Sequence, residues 1–172
     1  MFLVYGGKDL QIEAFADSSF QSDKDDSKSM SGFVFTLNGG AVCWRSSKQE
    51  TVADSTMEAE YIAASDAAKE AVWMRKFLKE LQVVPSIVDP IPLYCDNNGA
   101  IALAKEPRSH QRSRHILRRY HLIREIVDRQ EIEVRRVASE DNTADPFTKA
   151  LPQTQFERLI EMIGLRYAST WP

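Results

Sequence analysis

Much of what narrows this chain is missing from it. Among its 172 residues there are two cysteines, Cys43 and Cys95, both inside apolar runs. They read as reduced core residues of an intracellular protein, not as the frame of a disulfide-stapled secreted one, although a bridge between them stays open on sequence alone. No apolar run approaches the roughly 18 residues of a membrane span. The opening Met1-Phe2-Leu3-Val4-Tyr5 lacks a basic flank and is too short for a signal peptide. An excess of positive charge is absent too. Lys and Arg number 22 against 25 Asp and Glu, a net charge of −3. The whole molecule is therefore no electrostatic trap for nucleic acid, and any such binding requires a local basic patch. Repeats, low-complexity tracts and a composition break marking a second domain are all lacking.

What is present is an ordinary soluble composition, 43% hydrophobic and 27% charged, at a length that suits one domain with a real core. Leu10 to Asp17 alternates, with Leu10, Ile12, Ala14 and Ala16 on one side and Phe15 on the other, as in a central strand covered on both faces. Ser18 to Ser31 is polar and reads as a solvated loop, since its acids lack a regular ligand spacing. Asn38-Gly39-Gly40 between Gly32–Leu37 and Ala41–Trp44 is a hairpin signal, with Trp44 read as core. Ser55 and Glu58 form a capping box at the head of a helix predicted over Thr56–Leu81, whose first half is alanine-rich and whose second half carries the bulk. Ile91–Asp96 reads as a short strand, and Asn97 as the cap of a helix that Pro107 stops. Arg108–Arg119 is basic and runs into a helix with Ile116, Tyr120, Ile123, Ile126 and Val127 at core spacing. Ile132, Val134 and Val137 mark a last strand. A short helix opens at Asn142–Asp145, and a C-terminal helix carrying Phe156, Leu159, Ile160 and Ile163 ends at Gly164.

Four acids share a kind of position. Asp17 and Asp96 close apolar strands, while Glu60 and Asp145 sit near helix starts. In an α/β sheet, strand ends and helix starts gather on one rim, so these acids can converge there. Packed together they repel, and they stay ionised only beside a cation. Hard oxygen ligands suit Mg²⁺ or Mn²⁺ and not zinc, and such a cluster suits a pair of ions acting on a phosphodiester. The alternative is that each acid is a cap or turn residue.

Five motifs stand in order along the chain: Ala-Phe-Ala-Asp-Ser-Ser-Phe around Asp17; Ser-Thr-Met-Glu-Ala-Glu-Tyr-Ile-Ala; Leu-Tyr-Cys-Asp-Asn-Asn-Gly-Ala-Ile-Ala; Arg-Ser-Arg-His-Ile with Arg-Tyr-His-Leu-Ile-Arg-Glu; and Glu-Asp-Asn-Thr-Ala-Asp-Pro-Phe-Thr-Lys-Ala-Leu-Pro. From about Tyr5 to Gly164 the sequence resembles the ribonuclease H domain of Ty1/copia-type LTR retrotransposon polyproteins, especially those of plants. The resemblance implies an α/β (mixed α+β) ribonuclease H-like fold, with a five-stranded mixed sheet in the order 3-2-1-4-5 flanked by helices. It implies one domain over residues 1–172, with a core of about 5–151, a C-terminal helix over 152–164 and a loose tail over 165–172. The implied activity is hydrolysis of the RNA strand of an RNA–DNA hybrid during reverse transcription, with two Mg²⁺ or Mn²⁺ ions held by Asp17, Glu60, Asp96 and Asp145. Glu60 is chosen over Glu58 because it precedes a large residue and a small apolar run, and Glu58 already serves the cap.

The sequence departs from the wider pattern in three places. No histidine stands in Val137–Asp141, where cellular ribonucleases H commonly have one, and Met30 and Met57 replace polar residues. Contacts to the hybrid are expected from the basic segment, Arg108, Arg112, Arg114, His115, Arg118 and Arg119, whose alternative is a solvated helix edge, and from Arg45, Lys48, Gln49 and Asn97. His115 is alternatively a structural residue, and His121 reads as structural. The implied partners are the hybrid and the reverse transcriptase domain of the same polyprotein. The chain is expected to be monomeric, off the membrane, and in the reducing cytoplasm within the element's virus-like particle. Two rivals remain: a non-catalytic binding module from a decayed element, and an integrase-type core, which the Asp-Glu-Asp-Asp order disfavours.

Overall fold

Alternation along one strand sets how the sheet is covered. In a computed structural model that describes all residues except 7–9, 24, 83, 85–86, 88, 107–121 and 168–172, β1 (Phe2–Leu3) is followed by β2 (Ile12–Ser19), β3 (Met30–Leu37) and β4 (Gly40–Lys48). The long helix α1 (Thr56–Leu81) leads to β5 (Ile91–Cys95), α2 (Asn98–Lys105), α3 (Leu122–Asp128) and β6 (Ile132–Arg136), and the chain finishes with α4 (Gln153–Met162) and β7 (Leu165–Arg166). Five strands form one sheet in the spatial order β4-β3-β2-β5-β6. Counted within the sheet, that is the 3-2-1-4-5 order implied by the resemblance. The β2–β3 and β3–β4 pairs are antiparallel, and the β2–β5 and β5–β6 pairs are parallel.

On one face Ile12, Ala14, Ala16, Phe33 and Phe35 meet Ala59, Ile62, Ala67, Ala71, Met74 and Leu78 of α1 in the main core. Alanines on both partners let the helix lie close to the sheet. The opposite face carries a smaller cluster of Val34, Ala41 and Ile163, with Leu3, Phe15, Phe147 and Leu165 against it. Phe15 thus points away from α1, and its ring stacks on Tyr94 with centroids 4.9 Å apart. The serine half of the α1 capping box forms as predicted, whereas the glutamate reaches one residue beyond the cap. The Glu58 N–H donates to Ser55 Oγ at 3.2 Å, and Glu58 Oε2 accepts from the Asp54 N–H at 3.0 Å. Among the described residues no helix is long and apolar enough to cross a membrane.

Several expectations are corrected. The hairpin is longer than the apolar pattern, because backbone pairing continues from Trp44 through Lys48 where the side chains face water. Trp44 is 57% exposed and not core. It lies on the edge strand, and the cover over that face is only the small second cluster. In the second half of α1, Met74 and Leu78 are buried, whereas Phe77 and Leu81 are exposed, since the stripe facing the sheet is narrow. Phe156 is likewise exposed on α4. The segment after Asn142 forms a 3-10 turn at Asp145–Phe147, following another at Ser139–Asp141, where a short helix was expected. The tail is not loose from residue 165. Leu165–Arg166 pairs with Phe2–Leu3, and the Ile163 and Gly164 carbonyls accept from the Ala41 and Val4 N–H groups at 2.9 and 2.8 Å. Both cysteines are free thiols.

Candidate active site

Parallel pairing brings the first two acids to one rim. Ala14 lies beside Leu93 and Phe15 beside Tyr94. Extending that register by two residues puts Asp17 next to Asp96, just past the end of β5. Glu60, one turn into α1, reaches the same place. Its Oε1 accepts the Ser18 N–H at 3.2 Å, and its Oε2 lies 3.9 Å from the Cys95 thiol. One ligand atom each from Glu60, Cys95 and Asp96 falls within a 4.8 Å span. Asp145 arrives from beyond β6. Asn142, fully buried, moors this segment by donating from Nδ2 to the Ala16 carbonyl at 3.0 Å and accepting the Ala144 N–H at 3.2 Å. The Lys149 ammonium then joins the first and last acids, 2.9 Å from Asp145 Oδ1 and 3.5 Å from Asp17 Oδ1. The Thr148 hydroxyl hydrogen-bonds to Asp17 Oδ2. All four acids predicted from the sequence are therefore brought together.

Three of the four are buried, and Asp96 is partly exposed. Asp17, Glu60 and Asp145 are 1%, 4% and 2% exposed. Burial, with the charges of Asp145 and Asp96 added and with Thr148 and Lys149 opposing, raises Asp17 from 3.8 to about 7. Burial and the charges of Asp17 and Asp96 raise Glu60 from 4.5 to about 8. Asp145 is also raised by burial, against the pull of Lys149. Burial lowers the Lys149 pKa, but the surrounding carboxylates outweigh it and leave the pKa raised. One ammonium does not neutralise four carboxylates, so near neutral pH the cluster holds either protons or a further cation. The donor set is carboxylate oxygen, which fits Mg²⁺ or Mn²⁺. Cys95 does not compete as a soft ligand, because burial pushes its thiol well up and keeps it protonated.

No protein-family model matches the chain. It is 40% identical over 163 residues to the retrovirus-related Pol polyprotein from transposon TNT 1-94 of Nicotiana tabacum, a match covering 95% of this chain and 12% of that protein. It is 35% identical over 159 residues to the corresponding polyprotein from transposon RE1 of Arabidopsis thaliana, covering 92% and 11%. Among solved structures it is similar to LC11-RNase H1, isolated from compost by a metagenomic approach, at a TM-score of 0.57 and 15% identity over 80% of this chain and 92% of that one. A structure of LC11-RNase H1 in complex with an RNA/DNA hybrid matches with a TM-score of 0.56 at 14% identity, over 80% and 94% of the two chains. The chain has the ribonuclease H fold, and its homologues are retrotransposon Pol polyproteins. It spans about an eighth of the length of these relatives.

Around the acid cluster of this ribonuclease H fold, the other predicted contacts divide. Arg45 is exposed and lines an open cleft with Ser47, Lys48, Gln49, Glu50, Asp66 and Lys69. Lys48 is exposed but ion-paired to Asp23 at 2.5 Å and Asp26 at 3.0 Å, across the loop before β3. Asn97 caps α2, its Oδ1 accepting the Ala100 N–H at 3.0 Å. Gln49 is 4% exposed, and its Nε2 donates to Ser31 Oγ at 2.8 Å and to the Ala59 carbonyl at 2.9 Å. That end of the amide braces β3 against α1, while its Oε1 has no hydrogen-bond partner among the described residues. Arg108, Arg112, Arg114, His115, Arg118, Arg119 and His121 lie outside the described residues. Sequence reasoning missed Thr148, Lys149, Asn142 and Cys95. All stand in the quoted motifs, but nothing in their spacing says that they touch the acids.

Proposed function

We propose that the chain is a divalent-ion-dependent endonuclease that hydrolyses the RNA strand of RNA–DNA hybrids for a retrotransposon, leaving a 3′-hydroxyl and a 5′-phosphate. The observation that carries this reading is the meeting of Asp17, Glu60, Asp96 and Asp145 at one rim of the sheet, three of them buried. The homology to Pol polyproteins and the fold shared with an RNase H1 solved with a hybrid support the choice of substrate. Two Mg²⁺ or Mn²⁺ ions fit the charge of this donor set. Asp17 would be shared between them, Glu60 and Asp96 would hold one, and Asp145 the other. Bound ions supply the Lewis acidity that activates water and offsets charge building on the phosphate.

The chain's own residues do the rest. Ser18 N–H and the Cys95 thiol hold the Glu60 carboxylate in place. Asn142 moors the Asp145 segment to β2. Lys149 contributes fixed positive charge beside the pocket. Arg45, Lys48 and Asn97 grip the hybrid backbone, together with Arg108, Arg112, Arg114, His115, Arg118 and Arg119 of the basic segment. The domain, residues 1–172, works as a monomer attached to the reverse transcriptase of its polyprotein, in the reducing cytoplasm within a virus-like particle.

Incubating the chain with a labelled RNA–DNA hybrid and Mg²⁺, beside single-stranded RNA and duplex DNA, tests the reading. Cleavage confined to the hybrid's RNA strand and lost in Asp96→Asn is the expected result. Equal cleavage by parent and variant would remove the acids from the chemistry. A parent that neither cuts nor gains thermal stability from Mg²⁺ would instead be a non-catalytic module.

A further inference from the structure

The fourth acid belongs to a segment that has to be carried to the first one. Asp17 pairs with Gly32 across the β2–β3 ladder. Directly opposed residues on antiparallel strands project from the same face. A side chain at position 32 would therefore stand where the 144–148 segment now sits. A Cβ added to Gly32 would come within 2.7 Å of Thr148 Cγ2, 2.8 Å of Phe147 Cβ and 3.3 Å of the Ala144 carbonyl. Phe147 Cβ and the Ala144 oxygen cannot swing aside as a side-chain tip can, so the whole segment would have to move. The missing side chain is what admits it.

Within that space Thr148 is buried and its hydroxyl oxygen faces two groups. It meets Asp17 Oδ2, and it lies 3.1 Å from the main-chain oxygen of Asp145. The Thr148 and Lys149 N–H groups also donate to that Asp145 oxygen, at 3.0 and 3.2 Å. Asp17 therefore has one oxygen, Oδ2, tied to the turn that carries Asp145. The other, Oδ1, faces Lys149.

We propose that Thr148, seated in the gap left by Gly32, is a positioning residue. It fixes the Asp17 carboxylate so that Oδ1 is presented to the ions, and it makes Asp17 and Asp145 a single unit. This inference rests on the ion-dependent reading above. It goes beyond that reading by assigning the coupling of the two acids to one hydroxyl and one absent side chain.

The test compares Thr148→Val, which keeps the shape and loses the hydroxyl, with Thr148→Ser, which keeps the hydroxyl. The readouts are the Mg²⁺ concentration giving half of the ion-induced thermal stabilisation, and hybrid cleavage resolved into kcat and KM. Loss of a partner that orients a metal ligand typically costs about 10- to 100-fold in ion affinity, and a shift of that size is expected for Thr148→Val. Its KM for the hybrid stays near the parent's and kcat falls at limiting Mg²⁺. Thr148→Ser restores most of the ion affinity, and Gly32→Ala reproduces the Thr148→Val titration. Parent-like Mg²⁺ titration by Thr148→Val overturns the inference, as does impairment of the Ser variant equal to or greater than that of the Val variant, which would show that the hydroxyl alone does not set the ion affinity. If Thr148→Val does not fold, Thr148→Ala takes its place under the same criteria. A parent with no Mg²⁺ response overturns the proposed function itself, whereas a responsive parent with an indifferent Thr148→Val overturns only this inference.

Discussion

At the Asp17 end of the sheet Gly32 leaves a gap, and at the far end the chain turns through Gly164. Both glycines allow close approach, but what they admit differs. Beside Gly32 come Thr148 and Phe147, and with them a buried acid. Gly164 has φ +87, and a Cβ there would meet the Val4 carbonyl at 2.5 Å and the Gly39 carbonyl at 2.8 Å, so only backbone is brought together. The far end is held by ordinary contacts: β1 against β7, the Tyr5 hydroxyl donating to the Ala41 carbonyl at 3.0 Å, and apolar side chains around Ile163. The near end stores carboxylates with raised pKa values that disfavour the ionised state. Under the proposed function, stability and chemistry fall at opposite ends of one sheet, and changes at each end should separate them.

The largest effect expected is from Glu60→Gln. Hybrid cleavage should fall about a thousandfold, equivalent to ~4 kcal/mol of lost transition-state stabilisation. The ion-free protein should nonetheless melt at a higher temperature than the parent near pH 8, because an unfavourable buried charge is gone. A lower melting temperature would show that the near end is not under electrostatic stress. Next, Gly164→Ala should lower stability by about 1–3 kcal/mol through backbone strain at positive φ. Its half-saturating Mg²⁺ concentration should stay at the parent value, since the acids are at the other end. Chemical denaturation alongside ion titration checks both halves of that statement.

The pH dependence sharpens the contrast. The folded pKa values of Asp17, about 7, and Glu60, about 8, lie above their ordinary 3.8 and 4.5. Each group's contribution to stability is complete below its ordinary value and is lost as pH rises through the folded value. Melting of the ion-free protein should therefore decline between about pH 5 and 9. Saturating Mg²⁺ should flatten the decline by taking the place of the protons, and Glu60→Gln should remove its own share. A melting temperature that rises over this range would contradict the burial argument. The smallest effect belongs to the rim. Arg45→Ala should raise KM by less than about tenfold and reduce the slope of log affinity against log salt by about 1, as expected for one phosphate contact.

Each of the four acids lies where a local pattern ends, but that pattern left cap and turn roles open, and the family resemblance chose among them. Asp17 and Asp96 follow alternating or apolar strands, Glu60 follows a capping box, and Asp145 follows Asn142. Local signals also fixed α1, whose cap Ser55 accepts the Glu58 N–H, and the cap at Asn97. The burial of Gln49 was not legible, because polar residues before a helix ordinarily face water, and nothing nearby says that Ser31 and the Ala59 carbonyl will claim its amide nitrogen. Trp44 was misread because β4 is an edge strand, which its own residues do not announce.

The order of strands and helices, their caps and the identity of the acids are properties of neighbours along the chain, where periods of two and 3.6 residues and hydrogen bonds a few positions apart leave a readable trace. The bond from Thr148 to Asp17 joins residues 131 positions apart, and that from Asn142 to Ala16 joins residues 126 apart. Such contacts, like the seat of Lys149 between two carboxylates and the gap at Gly32, depend on where folded elements meet. Only the tertiary structure decided them, because short-range periodicity carries no information about which distant side chain will arrive.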